Sequence, residues 1–263
     1  MGLCNEKSVT YLRKLGYNVV RHPSADIKPL GLIGRQKGES IHLGPLNLLI
    51  VNPPGPLPGT TTDVPAADVN GQESSKLDFA IGVNILGALV SAMGGNLGVS
   101  VNYTNAEKVQ FNYSGVLSDA VVPLAVGNYL REAPVDAQNL ILKEYVLGNG
   151  DLYLITKVVK SKRFTATFEK KNGVGAKVDV PMIEGVVGGN IAVSTDAAKS
   201  WVVTFEGTTH LVFGFQCFHV AVEDGVLGLT AVKSGGVPLA VGQAGGDEPV
   251  LLGGPGMMDL GRF

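Results

Sequence analysis

Apolar and polar residues alternate most clearly in three stretches of the chain, and each is predicted to form a β-hairpin. Residues 99–114 have a turn predicted over residues 105–108, and on both sides of it the odd positions are apolar and the even positions are polar. Successive side chains of a strand point to opposite faces, so each arm of this hairpin has one apolar and one polar face. The apolar face carries Val99, Val101, Tyr103, Val109, Phe111 and Tyr113.

The second and third stretches repeat this pattern. Residues 163–180 contain Asn172-Gly173, and Asn-Gly is the strongest short hairpin signal. Residues 190–206 have a polar connection over residues 195–200 and continue into an apolar run. The apolar phase of that run changes after Cys217, which predicts a bulge or a strand that is covered on both faces. The apolar face of the second hairpin carries Phe164, Ala166, Phe168, Val174, Ala176, Val178 and Val180.

The remaining elements are shorter or less regular. Strands are predicted over residues 17–21 and 46–51, and a Pro-, Gly- and Thr-rich loop over residues 53–75. Apolar residues at helical spacing predict four helices, of which the third has Pro123 inside it and would then start later. The mixture lacks regular strand–helix alternation, which favours an α+β fold. The four predicted helices cover residues 6–15, 79–93, 117–131 and 136–146.

The last residues differ in composition from the rest. From about Ser234 the chain is rich in Gly and Pro, so we divide it into a domain of residues 1–241 and an appended peptide of residues 242–263. The peptide carries a net charge of −2, and residues 1–241 carry none. A disordered tail is poor in large apolar side chains, so this one is predicted to dock onto the domain. Its apolar residues are Val250, Leu251, Leu252, Met257, Met258, Leu260 and Phe263.

Overall composition excludes several classes of protein. The chain has 263 residues, of which 45% are hydrophobic, and 21 basic against 23 acidic residues, so nucleic acid is not a predicted partner. Its two cysteines make no disulfide framework, and no secretory leader is recognisable, which predicts a cytoplasmic protein. The longest apolar run, residues 79–93, is too short for a membrane-spanning helix.

Recognisable catalytic chemistry is sparse. The four histidines form no metal-ligand cluster, so no metal is predicted, and the sequence lacks a nucleophile elbow, a phosphate loop and a dinucleotide fingerprint. Cys217 and His219 would share a strand face, which permits a Cys–His pair, although a buried thiol is more often inert. The chain is therefore predicted not to be an enzyme, with a cysteine hydrolase as the alternative.

One segment is strongly basic. Between Thr156 and Gly173 six cations face only Glu169, a net charge of +5. Such a run is either a solvated face or a site for anionic lipid head groups, worth about 1 kcal/mol per basic side chain near a charged leaflet. The six cations are Lys157, Lys160, Lys162, Arg163, Lys170 and Lys171.

Cys4 has three explanations: an ordinary thiol, a lipoprotein cysteine or an acylated anchor. No hydrophobic segment precedes it, which argues against the lipoprotein. N-myristoylation at Gly2 requires Ser or Thr at the position that Glu6 occupies. S-acylation and an ordinary thiol both remain open on these residues.

The opening residues, MGLCNEKSVTYLRKLGYNVVRHP, resemble the bacterial gasdermins, as does the layout of a mixed domain with a short apolar C-terminal peptide. The resemblance implies a twisted, mixed and largely antiparallel sheet with peripheral helices. It implies an antiphage cell-death protein that the C-terminal peptide holds inactive in the cytoplasm. A caspase-like or related protease removes the peptide, and the domain then oligomerises with copies of itself in the inner membrane as a large β-barrel pore.

The same resemblance assigns roles to particular residues. Cys4 would carry a palmitoyl group, with no other cofactor, and the acyl chain would lie in an apolar pocket of the resting protein. The predicted hairpins would become membrane strands, the basic segment would meet lipid head groups, and the apolar residues of the peptide would make the inhibitory contacts. Cleavage would fall in a region that contains Leu239, Gly242 and Asp247. The rival function is a soluble, acylated lipid- or ligand-binding protein without pore activity.

Overall fold

A computed structural model describes most of the chain, with gaps. Two helix predictions fall largely or wholly in the gaps: residues 6–15, of which Leu12 and Leu15 are described, and residues 79–93. The described residues are 12, 15–37, 39–67, 69, 77–78, 96–97, 106–134, 136, 138–140, 143–170, 183–184, 190–196, 200–223, 226–231, 239–240 and 260–261.

Strands dominate the described residues. Among them, helical structure is confined to α1 (Pro123–Glu132), a 3₁₀ turn at Leu46–Leu48, a π-helical turn at Lys143–Leu147 and the single helical residues Leu12 and Leu140. The strands are β1 (Asn18–Ser24), β2 (Gly31–Gln36), β3 (Glu39–Pro45), β4 (Thr60–Pro65), β5 (Leu77–Asp78), β6 (Asn96–Leu97), β7 (Ala106–Ser114), β8 (Leu117–Val121), β9 (Asp151–Lys170), β10 (Ile183–Glu184), β11 (Asn190–Asp196), β12 (Ser200–Glu223), β13 (Val226–Ala231), β14 (Leu239–Ala240) and β15 (Leu260–Gly261).

One large sheet contains nearly all of these strands. Its main path runs β14-β13-β12-β9-β2-β3-β15, and the long strands β9 and β12 lie at its centre. Strands β1 and β11 also pair with β12, whereas β7 and β8 pair with β9. Among the described pairs, all are antiparallel except β15 with β3. A mostly antiparallel sheet with few helices confirms the predicted α+β class.

The sheet divides into two parts along the length of β9 and β12. We call residues 106–114, 163–170, 190–196 and 200–206 the distal block; its strands are β7 and β11 with one end each of β9 and β12. We call the remainder of the main sheet, apart from β5, which pairs with β7, the body, and we include α1 in it. The two parts are continuous because β9 and β12 run through both.

Both faces of the body sheet are buried. Leu152 and Leu154 of β9 belong to one apolar cluster, which lies under Val126 and Leu130 of α1. The intervening residues Tyr153 and Ile155 belong to a second cluster. Since neighbouring residues of a strand face opposite ways, the two clusters lie on opposite faces of the sheet.

Several sequence predictions are confirmed. The strand over residues 17–21 is present as β1, although it extends to Ser24. The hairpin over residues 190–206 pairs β11 with β12 in continuous register from Asn190–Glu206 to Asp196–Ser200. The predicted bulge near Cys217 is present, because the register between β9 and β12 shifts between Gln216 and Cys217.

The strand predicted over residues 46–51 is wrong. Leu46–Leu48 form a 3₁₀ turn, in which the Leu49 amide donates to the Leu46 carbonyl at 3.0 Å. Leu46, Leu49 and Ile50 are buried at helical spacing, while Leu48 is exposed. The apolar run therefore covers one side of a turn rather than one side of a strand.

The two later helix predictions are correct only in part. Leu117–Val121 form β8, and the helix begins at Pro123, because proline lacks an amide donor and fits the first helical position. Among the described residues of 136–146, helical structure is present at Leu140 and from Lys143 onward. The loop predicted over residues 53–75 contains β4, which pairs with β8.

The turn predicted over residues 105–108 is wrong, because β7 begins at Ala106 and pairs with β9. The hairpin predicted over residues 163–180 is also wrong. Residues 163–169 have β12 on one edge and β7 on the other, and a strand has only two edges for hydrogen bonding. Because β7 and β12 occupy both edges of residues 163–169, residues 174–180 cannot pair there as predicted.

Candidate functional site

Many of the predicted site residues fall in the gaps of the structure. The backbone alone is described for Phe168, Lys170, Leu239 and Leu260. The residues outside the described part are Cys4, Val99, Val101, Tyr103, Lys171, Val174, Val178, Gly242, Asp247, Val250, Leu251, Leu252, Met257, Met258 and Phe263.

In the distal block, one arm of the first predicted membrane hairpin pairs with one arm of the second. Val109 of β7 pairs with Phe168 of β9, and Tyr113 pairs with Phe164. Val109, Phe111 and Phe164 are buried, whereas the alternate residues of β7 are half-buried. One face is thus apolar and the other more polar, as the sequence pattern predicts.

The predicted C-terminal peptide supplies a strand at one end of the sheet. In β15, Leu260 and Gly261 pair with Ser40 and Ile41 of the edge strand β3. At the opposite end, Leu239 and Ala240 form β14 on β13. Two short strands from the C-terminal part of the chain therefore terminate both ends of the main path.

The basic segment is partly neutralised by remote carboxylates. Lys160 Nζ lies 2.6 Å from Asp119 Oδ2 and 2.9 Å from Asp63 Oδ1. Arg163 Nη2 lies 2.5 Å from Glu206 Oε2 on the neighbouring strand. These acidic partners are remote in sequence, and local charge counting missed them.

The ionisation of this cluster follows from its contacts. Burial alone lowers the pKa of Lys160, but its hydrogen bonds with Asp119 and Asp63 outweigh burial and raise the pKa above its ordinary value. The hydrogen bond from Lys160 also holds the pKa of Asp63 below its usual range. Both partners therefore stay charged at neutral pH, and the lysine is engaged rather than available to a lipid.

Lys157 and Lys162 are placed differently. The Lys157 ammonium lies 5.5 Å from the centre of the Tyr17 ring, a cation–π contact. Lys162 is exposed. Among the described cations of the basic segment, Lys162 and Arg163 are exposed, and Arg163 is paired with Glu206.

Cys217 is a fully buried thiol in the second apolar cluster. The Asn18 side-chain amide lies 3.7 Å from its sulfur, and burial raises its pKa well above the ordinary range. His219 instead lies edge-on to Tyr153 and 3.5 Å from an oxygen of Asp151. A protonated, buried thiol is a poor nucleophile, which argues against the hydrolase alternative.

We therefore expect Cys217 to resist alkylation in the folded protein. Iodoacetamide at pH 8 should leave the Cys217 peptide unmodified, because the thiol is both inaccessible and protonated. Peptide mass spectrometry reads the result, and the same reaction in concentrated urea is the positive control. Rapid labelling without denaturant would mean that Cys217 is reactive after all.

A groove opens on the body next to the start of α1. It has a volume of about 560 Å³ and lies within the usual range for ligand sites. Gln216 on its wall donates a hydrogen bond to the Leu15 carbonyl at 3.1 Å, which joins Leu15 to the groove wall. Its walls are largely apolar and comprise Thr61, Ala120, Val121, Val122, Pro123, Leu124, Thr156, Lys157, Gln216, Phe218 and Leu229.

Two other kinds of feature, a metal-binding cluster and a membrane-spanning helix, are absent from the described ranges. Nowhere in them do three or more His, Cys, Asp or Glu side chains converge as a metal site would require. Nor does the described part of the chain contain a helix with the length and apolar character to cross a bilayer.

Comparison with known proteins identifies the family. The model of the Bacterial Gasdermin Family matches residues 20–226. A gasdermin bGSDM from Vitiosangium sp. (strain GDMCC 1.1324) is 46% identical over 266 residues, and the match covers 100% of each chain. Another, from a Desulfuromonadales bacterium, is 35% identical and covers 92% of this chain and 89% of its own.

The fold agrees with these matches. A solved bacterial gasdermin from Bradyrhizobium tropiciagri superposes with a TM-score of 0.58 at 15% identity, covering 98% of this chain and 97% of its own. At that identity the likeness shows the fold alone, whereas the family model and the relatives matched along the chain show membership of the family. The chain therefore belongs to the bacterial gasdermin family.

Proposed function

We propose that the chain is an autoinhibited pore-forming protein, activated when a protease removes residues 242–263. The observation that carries the proposal is the pairing of β15 with the edge strand β3, at the far end of the sheet from β14. Membership of a pore-forming family supports it. Six strand spacings, about 29 Å, separate β14 from β15. Residues 241–259, which connect the two strands, can span roughly 60 Å when extended and are therefore long enough.

A short strand can inhibit only while it is tethered. Each backbone hydrogen bond contributes about 0.5–1.5 kcal/mol net, so the two-residue strand β15 binds β3 weakly by itself. In the intact chain the tether holds it at an effective concentration in the millimolar range. A cut between Ala240 and Leu260 removes the tether, so the peptide dissociates and the edge of β3 becomes free.

The protease is caspase-like or related, and the site of the cut follows from accessibility. Proteases bind their substrates as extended, unpaired segments. Leu239 is already paired with Ala231 in β14, so a cut there would first require β14 to leave β13. We therefore place cleavage in the region of Gly242 and Asp247.

Activation moves the protein from the cytoplasm to the inner membrane, where copies oligomerise into a large β-barrel pore and kill the cell in antiphage defence. A strand that crosses a bilayer needs about 9–11 residues with one apolar face. The distal block supplies four strands, with Val109, Phe111, Phe164 and the position of Phe168 on one face by register. Residues 171–189 connect β9 to β11 and can lengthen these two strands.

The basic segment assists contact with anionic lipid. Lys162 is exposed in the resting protein, whereas Lys160 and Arg163 are held by carboxylates. Loss of the peptide also raises the net charge from −2 to 0. These effects are modest, because exposed charges are screened over about 8 Å in physiological salt.

The proposed lipid is a palmitoyl group on Cys4, and the groove beside Gln216 is its site in the resting protein. An acyl chain gains about 0.8 kcal/mol per methylene that leaves water, so it occupies either a protein groove or the bilayer. Cys4 precedes Leu15 by eleven residues, and Leu15 is hydrogen-bonded to Gln216 on the groove wall. Even if the connection were helical, its length of roughly 16 Å would be the reach of Cys4 from that wall.

The mass of the N-terminal peptide tests this lipid. Protein purified from cells should yield a Cys4 peptide heavier by one palmitoyl group, and hydroxylamine, which cleaves thioesters, should remove the added mass. The Cys4→Ser variant is the control. An unmodified Cys4 peptide after detergent extraction would contradict acylation but would leave the pore proposal standing.

The groove favours one rival, a soluble acylated lipid-binding protein without pore activity. Dye release from anionic vesicles distinguishes the two functions. A pore-forming protein releases dye once residues 241–263 are absent, whereas a lipid-binding protein releases none in either form.

A further inference from the structure

Two interruptions in strand pairing line up along β9 at the boundary between the body and the distal block. Residues 115–116 separate β7 from β8 on one edge of β9. On the other edge, residues 207–210 of β12 have no register partner on β9, because the register jumps from Glu206–Arg163 to Leu211–Ser161. Between them, Lys162 of β9 is opposite both gaps, and Ser161, which pairs with Leu211, is opposite only the gap between β7 and β8. We call this line of residues the hinge line.

A buried hydroxyl replaces strand pairing at this line. Ser161 Oγ lies 2.7 Å from the Ser114 carbonyl oxygen and 2.8 Å from the Arg163 carbonyl oxygen, and it accepts the Arg163 amide at 3.0 Å. Its single proton can serve one carbonyl at a time. The contact therefore joins β7 and β9 with fewer bonds than a regular ladder would have.

An ionic cluster lies on the body side of the line. Asp119 of β8 accepts the Lys160 ammonium with one oxygen and the Asp63 backbone amide, at 2.8 Å, with the other. Asp63 itself has a φ of 58°, at a bulge where β4 changes register against β8. One buried carboxylate thus fixes β4 and β9 on β8 directly below the interruption.

One ring contact joins the two parts across the line, and one ion pair lies beside it within the distal block. The Tyr113 ring of the distal block stacks on Phe213 of the body, with centroids 3.9 Å apart and planes 4° from parallel. Phe213 is the bulged residue of β12, since the register shifts between Val212 and Gly214. On the distal side, Arg163 pairs with Glu206 across β9 and β12.

Within the distal block the ladders have few interruptions. Residues 163–169 of β9 pair with residues 200–206 of β12 without a shift, and β7 pairs with β9 from Lys108 to Ser114 without one. Backbone pairing is thus continuous on the distal side and broken at the hinge line. A sheet of this kind bends where its ladders are interrupted, because bulged strands have lost pairing there.

We propose that the hinge line is the pivot about which the distal block turns relative to the body as a unit. The latch that holds the resting angle is the contact of Ser161 with Ser114, and the Asp119–Lys160 pair anchors this latch on the body side. This inference rests on the proposed pore function, which requires membrane strands to reorient. It assigns the barrier to a defined set of polar contacts and keeps the register of the distal strands.

Hydrogen–deuterium exchange on the uncleaved chain tests the latch without reference to pores. Asp119→Asn should speed exchange of the amides of β7 and residues 163–169 at least tenfold, and leave those of β2 and β3 unchanged. Ser161→Ala is the second variant, should Asp119→Asn fail to fold. Asp136→Asn, at an exposed turn where the carboxylate accepts the Gln138 amide, is the matched control. Uniform acceleration across the sheet, or none, would overturn the latch.

Vesicle leakage then tests whether the latch limits the rate of activation. In a chain that ends at Ala240, Asp119→Asn should raise the rate of dye release several-fold over the otherwise identical parent. Selective exchange with unchanged release would mean that the hinge line bends but does not limit activation, which overturns the inference. A parent chain that releases no dye would contradict the pore function itself, while the exchange result would still report on the latch.

Discussion

Ending the chain at Ala240 should convert a protein that leaves anionic vesicles intact into one that empties them. The truncation removes β15 and the remaining C-terminal peptide but keeps β14 on β13. Release should be at least tenfold faster than with the whole chain at the same concentration. Its rate should rise more steeply than linearly with protein concentration, because several copies must assemble. Dequenching of an entrapped dye measures both properties.

A shorter truncation serves as the matched comparison. A chain that ends at Asp259 lacks Leu260 and Gly261, and hence the pairing with β3, but retains most of the peptide. It should release dye at an intermediate rate if β15 is a principal inhibitory contact. Equal silence of both truncated chains would contradict autoinhibition by the C-terminal peptide.

A positive charge at position 168 should abolish release by the activated chain, whereas the same charge at position 167 should be tolerated. Position 168 shares its strand parity with Phe164 and Ala166, which are buried, and Thr167 belongs to the opposite, half-buried face. An arginine facing lipid near the bilayer centre costs about 2–4 kcal/mol in each subunit, and one facing the water-filled lumen costs little. Phe168→Arg and Thr167→Arg therefore separate the two faces.

The two variants are matched in charge, so attraction to anionic lipid changes equally in both. Release should fall at least tenfold for Phe168→Arg and less than threefold for Thr167→Arg, measured in chains that end at Ala240. Thermal unfolding of the uncleaved variants controls for damage to the resting fold. The same loss in both variants, or in neither, would contradict the assignment of this strand to the membrane.

Local sequence patterns predicted those strands whose partners are near in sequence. The hairpin of β11 and β12 was correct because its connection is short and both arms alternate. The pattern over residues 163–180 was equally clear, yet β7 and β12 occupy both edges of residues 163–169. Alternation reports the two faces of a strand and contains no information about which strand lies at each edge.

The candidate sites show the same limit. The basic segment was visible in the sequence, but the neutralisation of Lys160 and Arg163 depends on Asp119 and Glu206, which lie 41 and 43 residues away. The groove beside α1 is assembled from separate segments between Thr61 and Leu229, so no single stretch marks it. Likewise, the register of β15 on β3 joins residues at opposite ends of the chain.

The family itself was accessible from sequence because its signal lies in the opening residues and the overall layout, and the match over residues 20–226 confirms it. The structure shows in addition which strands lie at the two ends of the sheet, where β14 and β15 of the C-terminal segment pair. It also shows the contact of Ser161 with Ser114, which joins the body to the distal block, and the Lys160–Asp119 pair on the body side.

Electrical recording from a planar anionic bilayer tests the central claim most directly. The chain ending at Ala240 should produce discrete, long-lived conductance steps, and the whole chain should produce none until protease is added. Because lipid binding alone does not open a defined conducting path, such steps distinguish a pore from a lipid-binding protein. Membrane binding by the truncated chain without any conductance step would contradict the account.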